Sequence, residues 1–339
     1  MKILDIFDEK MMRLEWETAI DGLTYSLNKL GAEHEVKLVC QYLPNESAGT
    51  IKKGNITIQF VADPTECFTV INEFKPDRIL MNATCHNFNL YLAQSTKYKK
   101  YWKALMFHGG PLIDSTLVNV NKVILQTPVQ KEIYLNAGYG FISPDTIDII
   151  PFGSDPTYFN PSKVEKKYLL TYQGTFSSVK RNDLAAKCMS EVNGKLLLFG
   201  KPYDVKMIEK CKVLQQEMPD KIVIEAERFP NTEVANKIKT GSIGVFPGVE
   251  GGTRGLSEYL MCGIPVITFN DSDSIVEVVS SSACGMVCGH DAVEFNRCVE
   301  TIMANYTMFQ DNALKYAQRE LTAELMYIRL RNSLELGDK

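Results

Sequence analysis

Short runs of β-branched and apolar residues alternate along the chain with longer stretches whose apolar positions recur at helical spacing. That alternation is the pattern of parallel strands joined by crossover helices. In the first half the runs KILDIF, HEVKLVC, ITIQFV, DRILMNA, KALMFHG and KVILQT predict strands, with helices near 12–30, 64–74, 86–100 and 128–137. In the second half YLLTYQG, GKLLLFG, KIVIEA, SIGVFP and IPVITF predict strands, with helices near 181–192, 204–217, 231–239, 253–262 and 291–304. The class is therefore α/β, and two such series predict two Rossmann-like units. Between them DIIPFGSDPTYFNPSK, residues 148–163, is dense in Pro, Gly, Asp and Asn and predicts a linker, with a boundary near residue 151. After residue 305 the chain reads as helical to its end, long enough to leave the second unit and pack elsewhere.

A chain of 339 residues with 45% hydrophobic content is long enough for two cores of ordinary domain size. Its formal net charge of −4 argues against a broad electrostatic footprint for nucleic acid or anionic membrane. Nine cysteines without paired short spacings fit reduced thiols better than a disulfide framework. No apolar run approaches the ~20 residues of a membrane span, and MKILDIFDEK is too short and too acidic for a signal peptide. The expectation is a cytoplasmic protein with no integral membrane segment.

The stretch PGVEGGTRGLSEYLMCGIPVIT, residues 247–268, carries the chemistry. It follows a predicted buried strand; Gly251 and Gly252 permit a tight turn, Thr253 is suited to cap a helix, and Leu256, Tyr259 and Leu260 form an apolar stripe ending at Gly263. A helix N-terminus at the carboxyl end of a parallel strand offers free N–H groups and a positive dipole end, the place where a diphosphate binds in open α/β folds. Glu250 precedes that helix and Glu258 lies within it, so both carboxylates can accept hydrogen bonds from the hydroxyls of one ligand. Arg254 and Glu258 are also four apart on the helix and can pair with each other, which leaves a purely structural reading open.

The spacing Glu250, seven residues, Glu258, then Cys262, Gly263, Pro265, Val266 and Ile267 resembles the donor-site motif of the retaining GT-B glycosyltransferases. Other segments follow the same family's order. IIPFGSDPTYFNP, through Pro151, Gly153, Asp155, Phe159 and Pro161, is similar to its interdomain segment, and YQGTFSSVKRNDL, through Gly174 and Lys180, resembles its phosphate loop. DSDSIVEVV supplies Glu277 where the family often has an acidic residue. The resemblance spans roughly residues 104–300 and implies two Rossmann-like domains facing across a cleft, 1–151 for the acceptor and 152–310 for the donor, with the helical segment 311–339 crossing back to the first.

The resemblance further implies that Glu258 binds the nucleotide ribose, that Glu250 lies at the donor sugar, and that Lys180 contacts the diphosphate. Backbone N–H groups from Gly252 to Arg254 would hold sugar and phosphate oxygens beside Gly251, Thr253 and Gly174. Phe229 corresponds to the loop lining the nucleobase, and His108 to the first-domain histidine facing the donor sugar. The implied donor is a UDP-sugar or GDP-sugar acting as substrate, with no further cofactor and no metal. The acceptor is expected to be a glycan or small hydroxyl compound. In such a transferase the leaving diphosphate can itself take the acceptor's proton, so catalysis is mainly positioning and electrostatics.

Departures from the family pattern leave other readings open. Thr175 stands where the family usually has an arginine, and Arg181 or Arg254 is then the candidate replacement cation. FDEKMMRLEWE lacks the glycine-rich loop that often follows the first strand. A nucleotide-sugar epimerase of the same fold and a catalytically silent binding module are alternatives. YQGTFSSVKR and DRILMNATCHNFN leading to KYKKYWKALMFHGGPL also loosely resemble the DNA glucosyltransferases of T-even phages. KYKKYWK, residues 97–103, is then either the polar end of a helix or a rim that grips DNA phosphates or a membrane surface. Asp271, Ser272 and Asp273 spell a metal-binding triplet of a different transferase fold but read here as turn residues.

Overall fold

The computed structural model describes residues 1–10, 21–41, 48–63, 65–83, 92, 95–107, 120–136, 143–249 and 252–336. The chain divides into two compact units, one formed by Met1–Phe152 with Ala323–Lys339, the other by Gly153–Thr322.

The first unit holds β1 (Lys2–Lys10), β2 (Glu35–Gln41), β3 (Gly49–Lys53), β4 (Ile56–Val61), β5 (Arg78–Ala83), β6 (Trp102–Phe107), β7 (Lys122–Leu125) and β8 (Ile147–Ile149). They form one sheet in the order β3-β4-β2-β1-β5-β6-β7-β8, parallel except where the edge strand β3 runs antiparallel to β4. Helices α1 (Asp21–Glu33), α2 (Glu66–Phe74) and α3 (Pro128–Asn136) connect them. Alternation along β1 sends Ile3 and Phe7 to one face and Leu4 and Ile6 to the other, each into its own buried cluster. On the first face α1 buries Leu23, Leu27 and Leu30, spaced as one helical stripe. That face is closed by the last helix of the chain, α11 (Ala323–Ser333), through Met326 and Leu330. Polar contacts fix the pairing: the Tyr25 hydroxyl donates to Glu324, the Tyr327 hydroxyl donates to Glu33 at 2.6 Å, and Arg331 Nε donates to the same carboxylate at 3.4 Å.

The second unit alternates strand and helix strictly: β9 (Tyr168–Gln173), α4 (Asn182–Lys187), β10 (Leu196–Phe199), α5 (Val205–Glu217), β11 (Ile222–Glu225), α6 (Asn231–Thr240), β12 (Gly241–Phe246), α7 (Arg254–Met261), β13 (Val266–Phe269), α8 (Asp273–Ser282), β14 (Gly285–Cys288) and α9 (Ala292–Ala304). All six strands are parallel, in the order β11-β10-β9-β12-β13-β14. Counted from β9 this is 3-2-1-4-5-6, the doubly wound order in which the connections reverse direction between the first and fourth strands. Helix α10 (Tyr306–Glu320) stays with this unit, burying Ala313 and Ala317 in the same cluster as Leu256 and Leu260 of α7. The unit begins and ends side by side: Ser154 N–H donates to Leu321 O at 2.9 Å, and the Ser154 and Ser257 hydroxyls lie 2.6 Å apart.

Several elements depart from the sequence-based expectation. β3, β8, β14 and α8 were not predicted. Residues 188–190 form a 3-10 turn rather than continuing α4, and within 95–100 only Thr96–Tyr98 is helical, as a single 3-10 turn. The rest of the helix expected at 86–100 falls largely outside the described residues, as do residues 12–20 of the first expected helix. Among the described residues eight cysteines are free and buried, and no helix is long and apolar enough to cross a membrane.

One buried polar pair marks the first sheet. Asp5 on β1 is fully buried and accepts from Asn82 Nδ2 on β5, while its Oδ2 has no hydrogen-bond partner among the described residues. Burial pushes its pKa up from 3.8 to about 8, with the Asn82 bond opposing the shift. The fold thus favours the neutral acid, and the stability this leaves at low pH is lost progressively as pH rises from about 4 towards about 8. Asp5→Asn removes that ionisation. Its Tm relative to the parent is expected to rise across that window and to level off above it; parallel thermal-unfolding curves for the two proteins from pH 4 to 9 would mean that Asp5 is not the group responsible.

Candidate functional site

In a parallel sheet every strand delivers its carboxyl end to one edge, and ligands settle where neighbouring connections diverge. In the second unit that point lies between β9 and β12. The loops leaving these two strands are residues 174–181 and 247–253, the segments that hold eight of the twelve candidate site residues.

The first loop is built around glycine. A Cβ on Gly174 would lie 2.8 Å from Tyr172 Oη, and the space it leaves lets that hydroxyl donate to Lys180 O at 3.0 Å. Lys180 N–H and Arg181 N–H both donate to Ser177 O at 3.1 Å, so residues 177–181 fold into a tight turn that brings Lys180 back above the strand end. Thr175 follows Gly174 as a half-buried residue. Arg181 takes the left-handed conformation, φ 46 and ψ 45, immediately before α4.

The second loop meets the first. Val249 N–H donates to Val179 O at 3.1 Å, and Arg181 Nε donates to Pro247 O. Beyond it, Gly252 and Thr253 lead into α7, whose N-terminus opens at the same edge. The first N–H groups of such a helix have no partner within the helix and carry the positive end of its dipole. Thr253 is buried at the cap position, but its φ of −93° and ψ of 0° are helix-like and its side chain makes no capping bond, so the expected side-chain cap is not formed. Tyr259, packed beneath, accepts Gln173 N–H on its hydroxyl oxygen at 3.0 Å, fixing the end of β9.

The glutamate inside the helix is buried. Glu258 has a side-chain exposure of 1%, and Arg254 Nε lies 3.3 Å from its Oε1. This is the i,i+4 pair weighed above, but with its carboxylate taken out of solvent, where an ion partner matters far more than on a surface. Glu250 and Gly251 lie outside the described residues, as does His108, the candidate from the first unit.

Phe229 stands apart from these loops. It follows β11, the strand two places from β9, and its ring packs edge-on against Phe199 with centroids 6.1 Å apart. Lys237 Nζ lies over it at 4.3 Å from the centroid and pairs with Glu225.

Two residues were missed at the sequence level. Asp271, read as part of a turn, receives a bidentate ion pair from Arg181, Nη1 to Oδ2 at 2.6 Å and Nη2 to Oδ1 at 2.8 Å, and His290 Nε2 lies 3.1 Å from Oδ2. The Arg181 hydrogen bonds, reinforced by His290, hold the Asp271 carboxyl far below its usual range. Asp273 opens α8 instead of extending a turn. Nothing near Arg181 in sequence signals either partner.

The basic run 97–103 is likewise divided. Lys103 is fully buried and donates to Tyr98 O at 2.8 Å, burial pushing its ammonium down to about 8. Tyr98 is buried as well and stacks on Phe68 at 5.0 Å. Only Lys97, Lys99 and Lys100 of the four lysines are exposed.

No protein-family model matches the chain, and no curated protein matches it in sequence. Its fold is nonetheless of a recognised class, the two-Rossmann-unit GT-B architecture of glycosyltransferases. Among solved structures it is similar to sucrose-phosphate synthase from Thermosynechococcus elongatus, with a TM-score of 0.80 at 14% identity over 99% of this chain and 98% of that one. It is similar also to a glycosyltransferase from Rickettsia africae, with a TM-score of 0.76 at 15% identity over 99% and 98%. HepE of Anabaena, solved with UDP and glucose, aligns over 99% of this chain and 100% of its own with a TM-score of 0.75 at 12% identity.

Gly174→Ala tests the build of the first loop. The added methyl has to displace the Tyr172 ring from Lys180 O, and an overpacked core site costs about 1–3 kcal/mol. Denaturant unfolding should report that loss; a cost below about 0.5 kcal/mol would mean the ring yields freely.

Proposed function

We propose that the chain is a glycosyltransferase that moves a sugar from a nucleoside diphosphate sugar, UDP- or GDP-linked, to an acceptor hydroxyl, with retention and without a metal ion. The observation that carries this reading is the convergence, at the reversal point of a 3-2-1-4-5-6 parallel sheet, of the Lys180 turn, the N-terminus of α7 and the buried Glu258. Lys180 and the helix end offer positive charge to a diphosphate, whose charge grows as the sugar leaves. The buried carboxylate of Glu258 is suited to accept hydrogen bonds from a ribose, and Glu250 is assigned to the donor sugar by its motif position. His108 is assigned to the opposite side of the same sugar, and Phe229 with its loop to the base. Similar structures solved with UDP and glucose and with UDP-2-fluoro glucose support the choice of donor class.

The reaction then needs no enzyme nucleophile. The acceptor hydroxyl attacks the anomeric carbon as its bond to the diphosphate breaks, and a leaving phosphate oxygen takes the hydroxyl proton. A glycan or small hydroxyl compound is favoured over DNA as acceptor by the net charge of −4 and by the burial of Lys103 and Tyr98, which reduces the candidate phosphate-gripping run to three lysines. Location in the cytoplasm is part of the same proposal.

The test is incubation of the purified chain with a panel of UDP- and GDP-sugars, with and without candidate acceptors and chelator, followed by mass spectrometry. Transfer that needs an acceptor and survives chelation is the expected outcome. Donor conversion without an acceptor would favour the epimerase, and steep salt-dependent binding of hydroxymethylated duplex would favour the phage-type DNA transferase. Glu258→Gln should weaken UDP or GDP binding by about ten- to a hundredfold, the value of a hydrogen bond to a charged group. An unchanged Kd with reduced Tm would assign Glu258 to helix pairing alone.

A further inference from the structure

Arg181, Asp271 and His290 come from three different loops on the carboxyl edge of the second sheet, after β9, β13 and β14. Arg181 also reaches a fourth, after β12, through its Nε bond to Pro247 O. The guanidinium therefore uses its inner nitrogen on the glycine-turn segment and both outer nitrogens on Asp271, while His290 Nε2 stands 3.1 Å from Asp271 Oδ2 and 3.5 Å from Arg181 Nη1. Phe269 supports the imidazole edge-on, with centroids 5.6 Å apart. Arg181 holds a backbone conformation that side chains other than glycine and asparagine rarely adopt. Such a conformation persists only where surrounding contacts determine it. Here those contacts include these side-chain bonds together with the backbone bonds of Arg181 N–H to Ser177 O and of Leu184 N–H to Arg181 O.

We infer that Arg181, Asp271 and His290 act as positioning residues that brace the two donor-site loops against each other, and that Arg181 is not itself a ligand of the donor diphosphate. This inference rests on the donor-site reading above. A guanidinium already spent on a carboxylate and a carbonyl has its charge compensated and its fork directed away from further anions. Its effect is exerted on neighbours: Lys180 adjoins it in the chain, and Pro247 and Val249, bound to Arg181 and Val179, set the path of the backbone towards α7. Asp271 and His290 then influence a ligand only by holding Arg181. Arg181, one of the two candidates to replace the arginine of the resembled family, is thus not that replacement in space, and Lys180 with the α7 N-terminus carries the diphosphate.

The two roles of Arg181 predict opposite signs for one substitution. If Arg181 braces, Asp271→Asn and Arg181→Gln should each weaken UDP, with GDP measured in parallel, by about tenfold in calorimetry, and the double variant should be no worse than the worse single one. UMP and GMP should be less affected, because the loops serve the second phosphate, so the diphosphate-to-monophosphate affinity ratio falls; a general loss of packing would lower both alike. His290→Gln, which keeps a side-chain N–H towards Asp271, should retain more of that ratio than His290→Ala, and this pair stands in if Asp271→Asn folds poorly. Tighter UDP binding by Asp271→Asn would free Arg181 as a direct phosphate ligand and overturn the inference, as would an unchanged ratio in every variant. Hydrogen exchange at the Val249 amide in the nucleotide-free protein separates the two readings. If the parent binds no nucleotide, the donor-site proposal fails by itself, and the brace is upheld by faster Val249 exchange in Asp271→Asn or overturned by unchanged exchange.

Discussion

Everything in the second unit follows from the requirement that parallel strands be joined by crossovers of one hand, which collects all carboxyl ends at a single edge and all return helices on the two faces. With six strands wound outward from β9, only one gap in that edge is flanked by loops departing to opposite faces. Helix α7 starts there because Gly252 and Thr253 follow β12 closely, and the Lys180 turn lies there because Tyr172, the penultimate residue of β9, reaches over Gly174 to hold it. The chemistry is thus placed by winding order first and by side-chain contacts second.

The two units solve the same electrostatic problem differently. Each buries a carboxyl group among apolar side chains, where an isolated charge is costly. In the first unit Asp5 meets, among the described residues, an amide alone and is driven towards its neutral form. In the second Glu258 lies beside a guanidinium that is itself 32% exposed, so its negative charge has a partner within the same helix. A neutral acid can only specify a sheet's interior; a buried carboxylate beside a cation at a helix start is a group able to accept hydrogen bonds from an arriving hydroxyl.

What could be read from the sequence divides along the same line. Runs such as ITIQFV and SIGVFP are buried on both faces or nearly so, and their apolar density betrays them; β4 spans the very residues expected, and β12 differs by one at each end. β3 escaped because GTIKK alternates half-buried and exposed positions, and β14 because GMVC is short and opens on glycine. Helix α8 begins in an Asp/Ser-rich stretch whose turn character masked the apolar stripe of Ile275, Val278 and Val279. That Gly174 and Lys180 follow β9 and that Glu258 lies within α7 was legible, because strand ends and helical spacing show directly in the sequence. The Arg181 partners, 90 and 109 residues away, were not, since register between strands decides them. Lys103 belongs both to the basic run 97–103 and to the expected strand KALMFHG, and it is the strand that decides its burial, while Lys97, Lys99 and Lys100 stay exposed.

The return of α11 to the first sheet has a consequence for biosynthesis. Residues 153–322 form a continuous stretch whose contacts are complete once Thr322 has joined Ser154, so that unit can close while the chain is still being extended. The sheet made earlier must wait: Leu23, Leu27 and Leu30 share their cluster with Met326 and Leu330, which are synthesised only after residues 153–322. The first sheet is therefore closed only after the second unit has been made, and its apolar face is the one in need of protection during translation.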